Sequence, residues 1–191
     1  MVRHAETAWS LNGKHTSRTD LPLTENGCRH AERIGGRLQG EVIDAAFVSP
    51  RQRARNTAAL AGWPDAIVDD DLVEWDYGDY EGRTTDEVRR GNPGWNLFVD
   101  GAPGGENADD VGVRADRFVS TVRDRSGTVL VFTHGHFSRV LAARWVGLPA
   151  RQGQVFGPVA AGGLSVLGAE REAAVVRVWN ETGALEPEAE R

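Results

Sequence analysis

Apolar and polar positions along this chain switch between two rhythms. Short apolar runs of strand type end in polar or Pro-containing knots, and stretches with apolar residues at helical spacing follow them. Met1-Val2 reads as the end of a strand. Residues 23–40 (LTENGCRHAERIGGRLQG) predict a helix with Thr24 as N-cap. Residues 43–50 (IDAAFVSP) predict a strand stopped at Ser49-Pro50. Residues 51–62 (RQRARNTAALAG) predict a helix, with Pro50 suited to its first turn and Gly62 near its end. A short strand over 65–72 and a short helix over 84–91, capped by Thr84 or Thr85, come next. Within 106–127, Val111, Ala115, Phe118, Val119 and Val122 recur at helical spacing. The run 128–132 (TVLVF) predicts a buried strand, 137–147 the helix after it, and 163–168 with 173–180 a terminal hairpin. Strands alternating with helices predict an α/β fold, a three-layer α/β/α sandwich around a mostly parallel sheet that the hairpin makes mixed.

A chain of 191 residues fits one domain, 1–191. Segment 92–107 (NPGWNLFVDGAPGGEN) is rich in Gly and Pro and reads as a lid, and the acidic 184–191 as a frayed tail. The net charge of −6 gives no reason to expect a nucleic-acid or membrane-surface partner. A single cysteine, Cys28, excludes an internal disulfide and fits a reducing cytoplasm. The N-terminus lacks the apolar region of a signal peptide, and no apolar run approaches the ~20 residues that span a bilayer. Lys14 is the only lysine, so an anion site here would be built from guanidinium groups, which bind oxyanions bidentately.

In open α/β sheets, ligands gather outside the carboxyl ends of the strands. Three polar knots fall there: Arg3-His4; Ser49-Pro50 with Arg53 in the helix turn that follows; and Thr133-His134-Gly135-His136. A first-turn Arg leans back over the preceding strand end, where free N–H groups add positive charge. Gly135 permits positive φ and close backbone approach to a ligand. Two Arg and two His converging on one edge predict a phosphate site, with His as nucleophile or donor. In the acidic, aromatic loop 72–85, Glu74 precedes Trp75, an apolar wall that would raise a carboxyl pKa and suit a general acid. A salt bridge to an Arg is the other role open to Glu74. His30 reads as a surface residue, and Trp95, Trp145 and Trp179 as packing residues. His134 and His136 lack Cys partners and HExxH spacing, so no metal and no cofactor are expected.

The blocks VRHAET (2–7), SPRQRARNTA (49–58), EWDYGDYEG (74–82) and THGHFSR (133–139), in this order, resemble the phosphoglycerate-mutase-like branch of the histidine phosphatase superfamily. The resemblance covers roughly residues 1–144. It implies His4 as the nucleophile that forms a phosphohistidine, with Arg3, Arg53 and His134 gripping the phosphoryl oxygens. Glu74 matches the proton donor to the leaving group. Gly135 would supply a backbone N–H, Thr16 a further phosphate contact, and His136 a wall at the substrate end. Ser10 stands where the family commonly has Asn and has a shorter reach. The implied activity is metal-independent hydrolysis of small phosphate esters, sugar phosphates being the expected class, with a small phosphorylated metabolite as the partner. Mutase-type phosphoryl transfer is the alternative; mutase relatives tend to be longer, so the short chain favours a phosphatase. A non-catalytic phosphate-binding module and a metal-dependent hydrolase using His134 and His136 are further alternatives. A homodimer through a sheet edge or helix is compatible with the pattern. Relatives usually carry several apolar residues ahead of the Arg-His pair, so an N-terminally extended form is expected to be more stable and more active.

Overall fold

Six strands form one mixed sheet in the order β3-β2-β4-β1-β5-β6. They are β1 (Val2–Arg3), β2 (Ala45–Val48), β3 (Ile67–Val68), β4 (Val129–Thr133), β5 (Leu164–Glu170) and β6 (Ala173–Glu181). The structure, a computed structural model, describes residues 1–183, so the tail expected to be frayed, 184–191, lies outside the described residues. Strands β1 to β4 run parallel, and the β5–β6 hairpin joins antiparallel to β1. Among the described residues, seven α-helices pack around the sheet: α1 (Ala8–Leu11), α2 (Glu25–Arg37), α3 (Gln52–Leu60), α4 (Thr85–Gly91), α5 (Leu97–Asp100), α6 (Ala108–Arg123) and α7 (Gly135–Trp145). The α/β/α expectation holds.

Side chains that alternate along a strand feed two cores. Val2, Val48, Leu130 and Phe132 meet Ile34 and Leu38 of the α2 region and Ala54 and Ala58 of α3. Phe47 and Val131 point the other way, onto Val111, Ala115 and Phe118 of α6 and Phe137, Val140 and Leu141 of α7. β1 is central although short: Val2 pairs with Phe132 on one side and Leu164 on the other. No helix among the described residues is long and apolar enough to cross a membrane.

Capping chemistry sets most helix starts. The Thr24 hydroxyl accepts from Gly27 N at 2.9 Å, and Thr84 forms a reciprocal capping box with Glu87. Pro50 stands one residue ahead of the N-cap, Arg51, rather than in the first turn of α3. The strand expected over 65–72 is only Ile67–Val68, because Asp69 accepts from Asp71 N at 2.9 Å and folds Asp70–Leu72 into a 3₁₀ turn. α7 begins two residues earlier than the apolar spacing predicts. Two short helices escaped the sequence reading: α1, fixed by a Thr7–Ser10 capping box, and α5, capped by Asn96. Segment 92–107, read as a lid, sets Trp95, Leu97, Phe98 and Ala102 into the core. It docks backbone to backbone on the acidic loop. A Cβ on Gly78 would fall 2.1 Å from Pro103 O, and one on Gly105 would fall 2.2 Å from Asp76 O.

Candidate active site

The carboxyl ends of β1, β2 and β4 converge on one edge. His4 N donates to Thr133 O at 2.9 Å, and Ser49 N to Phe132 O at 3.0 Å, continuing the ladder past the strands. His4 and His134 therefore come edge to face, ring centroids 5.2 Å apart. Thr57 of α3 locks this edge to the helix: its hydroxyl accepts from Ala5 N at 2.9 Å and donates to Arg53 O at 2.7 Å.

A carbonyl partner fixes which ring nitrogen of His4 carries the proton. Nδ1 of His4 lies 2.8 Å from Ala5 O, which can only accept, so Nδ1 holds the hydrogen and Nε2 keeps its lone pair. Nε2 of His134 lies 2.8 Å from the Ser49 hydroxyl, whose oxygen accepts from Arg51 N at 3.4 Å. The Ser49 hydroxyl can donate to His134 Nε2 or accept from it, and the ring's Nδ1 is buried with no partner among the described residues. Burial pushes both histidines well below the ordinary value of 6.5, and the neighbouring Arg3 and Arg53 guanidiniums add to the effect. Both rings are neutral in the folded chain across the neutral range.

Arg53 is fully buried, as a first-turn residue leaning back over its strand end should be. It donates to three carbonyls, Thr19 O at 3.0 Å, Thr16 O at 3.1 Å and Ser17 O at 3.2 Å. That carbonyl loop is held in turn by the Glu81 carboxylate, which accepts from Ser17 N at 2.9 Å, Ser17 Oγ at 2.8 Å and Thr19 N at 3.0 Å. Arg3 donates through Nη1 to Val159 O. The Nε atoms of Arg3 and Arg53 are buried with no partner among the described residues. Burial lowers both guanidinium pKa values, and the Glu74 charge opposes the shift. Gly135 has ordinary helical backbone, not positive φ. Its reason is space, since a Cβ there would lie 3.3 Å from Arg3 Nε.

Glu74 caps α7. Its Oε1 accepts from Trp75 N at 3.0 Å and Phe137 N at 2.8 Å, and its Oε2 from His136 N at 3.1 Å. Glu74 is in no ion pair among the described residues, and Trp75 does not form the apolar wall expected beside it. Trp75 packs against Phe98 in the core and donates to Glu106 O at 2.9 Å, and backbone amides hold the carboxyl. Arg114 braces the chain at this point. It grips Glu106 with Nε at 2.8 Å and Nη2 at 3.0 Å, and donates to the carbonyls of Asp71, Val73 and Glu74.

A cavity of about 360 Å³ opens over this edge, and Arg3, His4, Ser10, Thr16, Glu74, Gly135 and His136 are in its wall. Arg53 and His134, wholly buried, stand behind that wall. Every residue singled out from the sequence is thus brought to one place. Ser10 spends its hydroxyl on the α1 cap, donating to Thr7 O at 3.0 Å, and Thr16 donates to Lys14 O at 3.0 Å. His136 accepts from or donates to the Tyr77 hydroxyl at 2.7 Å. His15, Tyr77 and Arg139 also line the cavity and were not singled out. The signal for Tyr77 and Arg139 lay inside motifs already quoted; His15 sits in an unpatterned loop and is placed by its ring contact with Tyr77, 4.6 Å between centroids.

The sequence matches the family model described as the histidine phosphatase superfamily (branch 1) over residues 1–182. It is 41% identical over 192 residues to an acid phosphatase of Mycobacterium tuberculosis, covering 98% of this chain and 94% of that one. It is 37% identical to a sedoheptulose 1,7-bisphosphatase of Saccharomyces cerevisiae, covering 78% of this chain and 67% of the relative. The fold superposes on the solved structure of a Mycobacterium tuberculosis open reading frame product with a TM-score of 0.89 and 39% identity, covering 95% and 96% of the two chains.

Proposed function

The chain belongs to the histidine phosphatase superfamily and is a histidine phosphatase, and on that premise we propose that it hydrolyses small phosphate monoesters, sugar phosphates among them, through a phosphohistidine on His4. One observation carries the reading. His4 keeps its Nε2 lone pair, and its neighbours Arg3, Arg53 and His134 each hold a buried side-chain nitrogen with no partner in the described chain, the two guanidinium ones being N–H donors. Such donors suit the equatorial oxygens of a phosphoryl group, whose transfer depends mainly on positioning and charge stabilisation.

In the first step the His4 Nε2–P bond forms as the P–O ester bond breaks, and Glu74 gives a proton to the departing alkoxide. In the second, water attacks phosphorus, the N–P bond breaks, and Glu74 takes the water's proton. Oε2 is the oxygen for this shuttle, since it carries one amide bond against two on Oε1. The Gly135 N–H completes the phosphate contacts, and His136 faces the leaving group. The low pKa of His4 keeps its lone pair available in acid solution, in line with a relative named an acid phosphatase. The name of the sedoheptulose 1,7-bisphosphatase relative supports sugar phosphates as the substrate class.

The test is phosphate release from an aryl phosphate in excess EDTA by the native chain and by His4→Ala. Activity that survives the chelator and disappears in the variant is expected. Turnover by His4→Ala at the native rate would remove the mechanism.

A further inference from the structure

Two non-glycine residues among the described ones have positive φ, Arg171 and Asn180. Arg171 is in the turn between β5 and β6, where such a backbone is ordinary. Asn180, with φ 51°, lies inside β6. Between the pairs Val166–Val178 and Leu164–Glu181 the ladder slips, so that Ser165 of β5 stands opposite both Trp179 and Asn180 of β6. The extra residue makes a β-bulge, a device that re-aims a side chain. Asparagine adopts the left-handed backbone more readily than most residues. Nothing in the phosphoryl-transfer scheme uses this hairpin, yet a held left-handed residue is a frequent mark of a functional constraint.

The bulge turns the Asn180 amide toward the nucleophile's end of the sheet. Its Oδ1 accepts from Ala160 N at 2.7 Å, and Asn180 N donates to the buried Ser165 hydroxyl at 2.9 Å. Ala160 opens a tight turn that Gly163 N closes on Ala160 O at 2.9 Å. This turn, with Val159 ahead of it, holds the Arg3-His4 pair. Val159 O accepts from Arg3 Nη1, Gly163 O accepts from Arg3 N at 3.0 Å, and Gly162 N donates to the carbonyls of Arg3 and His4, each at 3.1 Å. Pro158 and Val159 also stand in the wall of the cavity. Gly163 leaves the room the amide needs, since a Cβ there would fall 2.4 Å from Asn180 Oδ1. Among the described residues, Val159 O is the hydrogen-bond partner of the Arg3 guanidinium, whose Nε stays bare. One side-chain oxygen on the hairpin thus fixes the segment that aims a phosphate-facing guanidinium.

We propose that Asn180 is a positioning residue for phosphoryl transfer, acting through Ala160 and the Val159 carbonyl on the Arg3 guanidinium. The proposal rests on the phosphatase reading, and its test has a binding arm that needs no turnover. Asn180→Gly removes the acceptor while suiting the positive φ, so the gain in backbone freedom offsets the lost hydrogen bond and the urea midpoint should stay near native. Asn180→Asp keeps an oxygen acceptor and tolerates the same backbone. Each variant is assayed for aryl phosphate turnover and titrated calorimetrically with inorganic vanadate, which mimics the transferring phosphoryl group. Asn180→Gly should lower kcat/KM and vanadate affinity ~3–10-fold, with most of the kinetic loss in kcat, because a guanidinium displaced by a fraction of an ångström loses most where charge develops. Asn180→Asp should restore both. In an Arg3→Lys background, which lacks the oriented fork, Asn180→Gly should have little further effect. Native kcat/KM and native vanadate affinity in Asn180→Gly overturn the proposal. So does a loss of the same size in the Arg3→Lys background, which would show that Asn180 does not act through Arg3. A fall in the urea midpoint large enough to explain the lost activity overturns it as well, since the role would then be structural alone. All three leave the phosphatase reading standing, since that reading fails only on the His4→Ala experiment.

Discussion

Gly135→Ala separates what stabilises this fold from what makes it work. The residue is the first of α7 and has helical backbone, so the chain itself accepts alanine there. Helix propensity favours Ala over Gly by up to ~1 kcal/mol, less at a first-turn position. The new methyl, however, would stand 3.3 Å from Arg3 Nε and 3.4 Å from its Cζ, inside the ~3.5–4.0 Å of a relaxed contact. Arg3 has little room to yield, since Nη1 is held by Val159 O and its backbone N donates to Gly163 O at 3.0 Å. The guanidinium must retreat by a few tenths of an ångström. A misplacement of ~1 Å in a reacting array costs ~10²-fold, so the smaller shift should cost ~3–10-fold in kcat/KM. Stability should be unchanged or higher by ~0.5 kcal/mol. Aryl phosphate kinetics and urea unfolding on the same preparation read both quantities. An undiminished kcat/KM would refute the reasoning, as would a loss of stability large enough to explain the loss of activity.

Arg114→Met leaves the buried end of Glu106 without its bidentate partner and frees three carbonyls. It should cost ~3–5 kcal/mol in urea unfolding, and a cost below ~1 kcal/mol would show that the ion pair is not what holds the Glu74 segment. Glu81→Gln removes the charge that three donors share and slackens the carbonyls around Arg53. A ~5–10-fold lower kcat/KM with little change in KM is expected, and a change confined to KM would argue against a positioning role. His4, His134 and His136 all have folded-state pKa values below 6.5, so the unfolded chain binds more protons in acid. Their stabilising contribution is complete above that value and is lost as pH falls toward the folded values; urea midpoints that stay level from about pH 7.5 to about pH 5 would contradict this.

Strand ends and first helical turns were legible because they obey local rules. An apolar run that stops at Ser49-Pro50, followed by Arg53 in the next turn, dictates where that guanidinium goes without knowledge of its partners. The partners were not legible. Glu81 is one more acid in an acidic loop until Ser17 and Thr19, more than 60 positions away in sequence, turn their donors to it. Trp75 follows Glu74, but adjacent residues of an extended segment point apart, so the expected apolar wall went into the core instead. Segment 92–107 was read by its Gly and Pro content, whereas Trp95, Leu97 and Phe98 decided its placement by burial. Ser10 was weighed as a substitute for a longer side chain, and the Thr7 backbone claimed its hydroxyl.

The docking of Gly78 on the Pro103–Gly105 turn has a consequence for how this sequence can change over generations. Any side chain at 78 meets backbone at 2.1 Å, and any at 105 meets it at 2.2 Å from the other side. Replacing one does not make room for replacing the other, because each collides with main chain rather than with its counterpart's side chain. Drift is therefore blocked at both positions, and with them the path of the loop that carries Glu74 and Tyr77 is frozen. Arg89, exposed on α4, stands at no such main-chain collision. Descendants of this chain are free to vary such exposed positions while the loop that carries Glu74 and Tyr77 stays as it is.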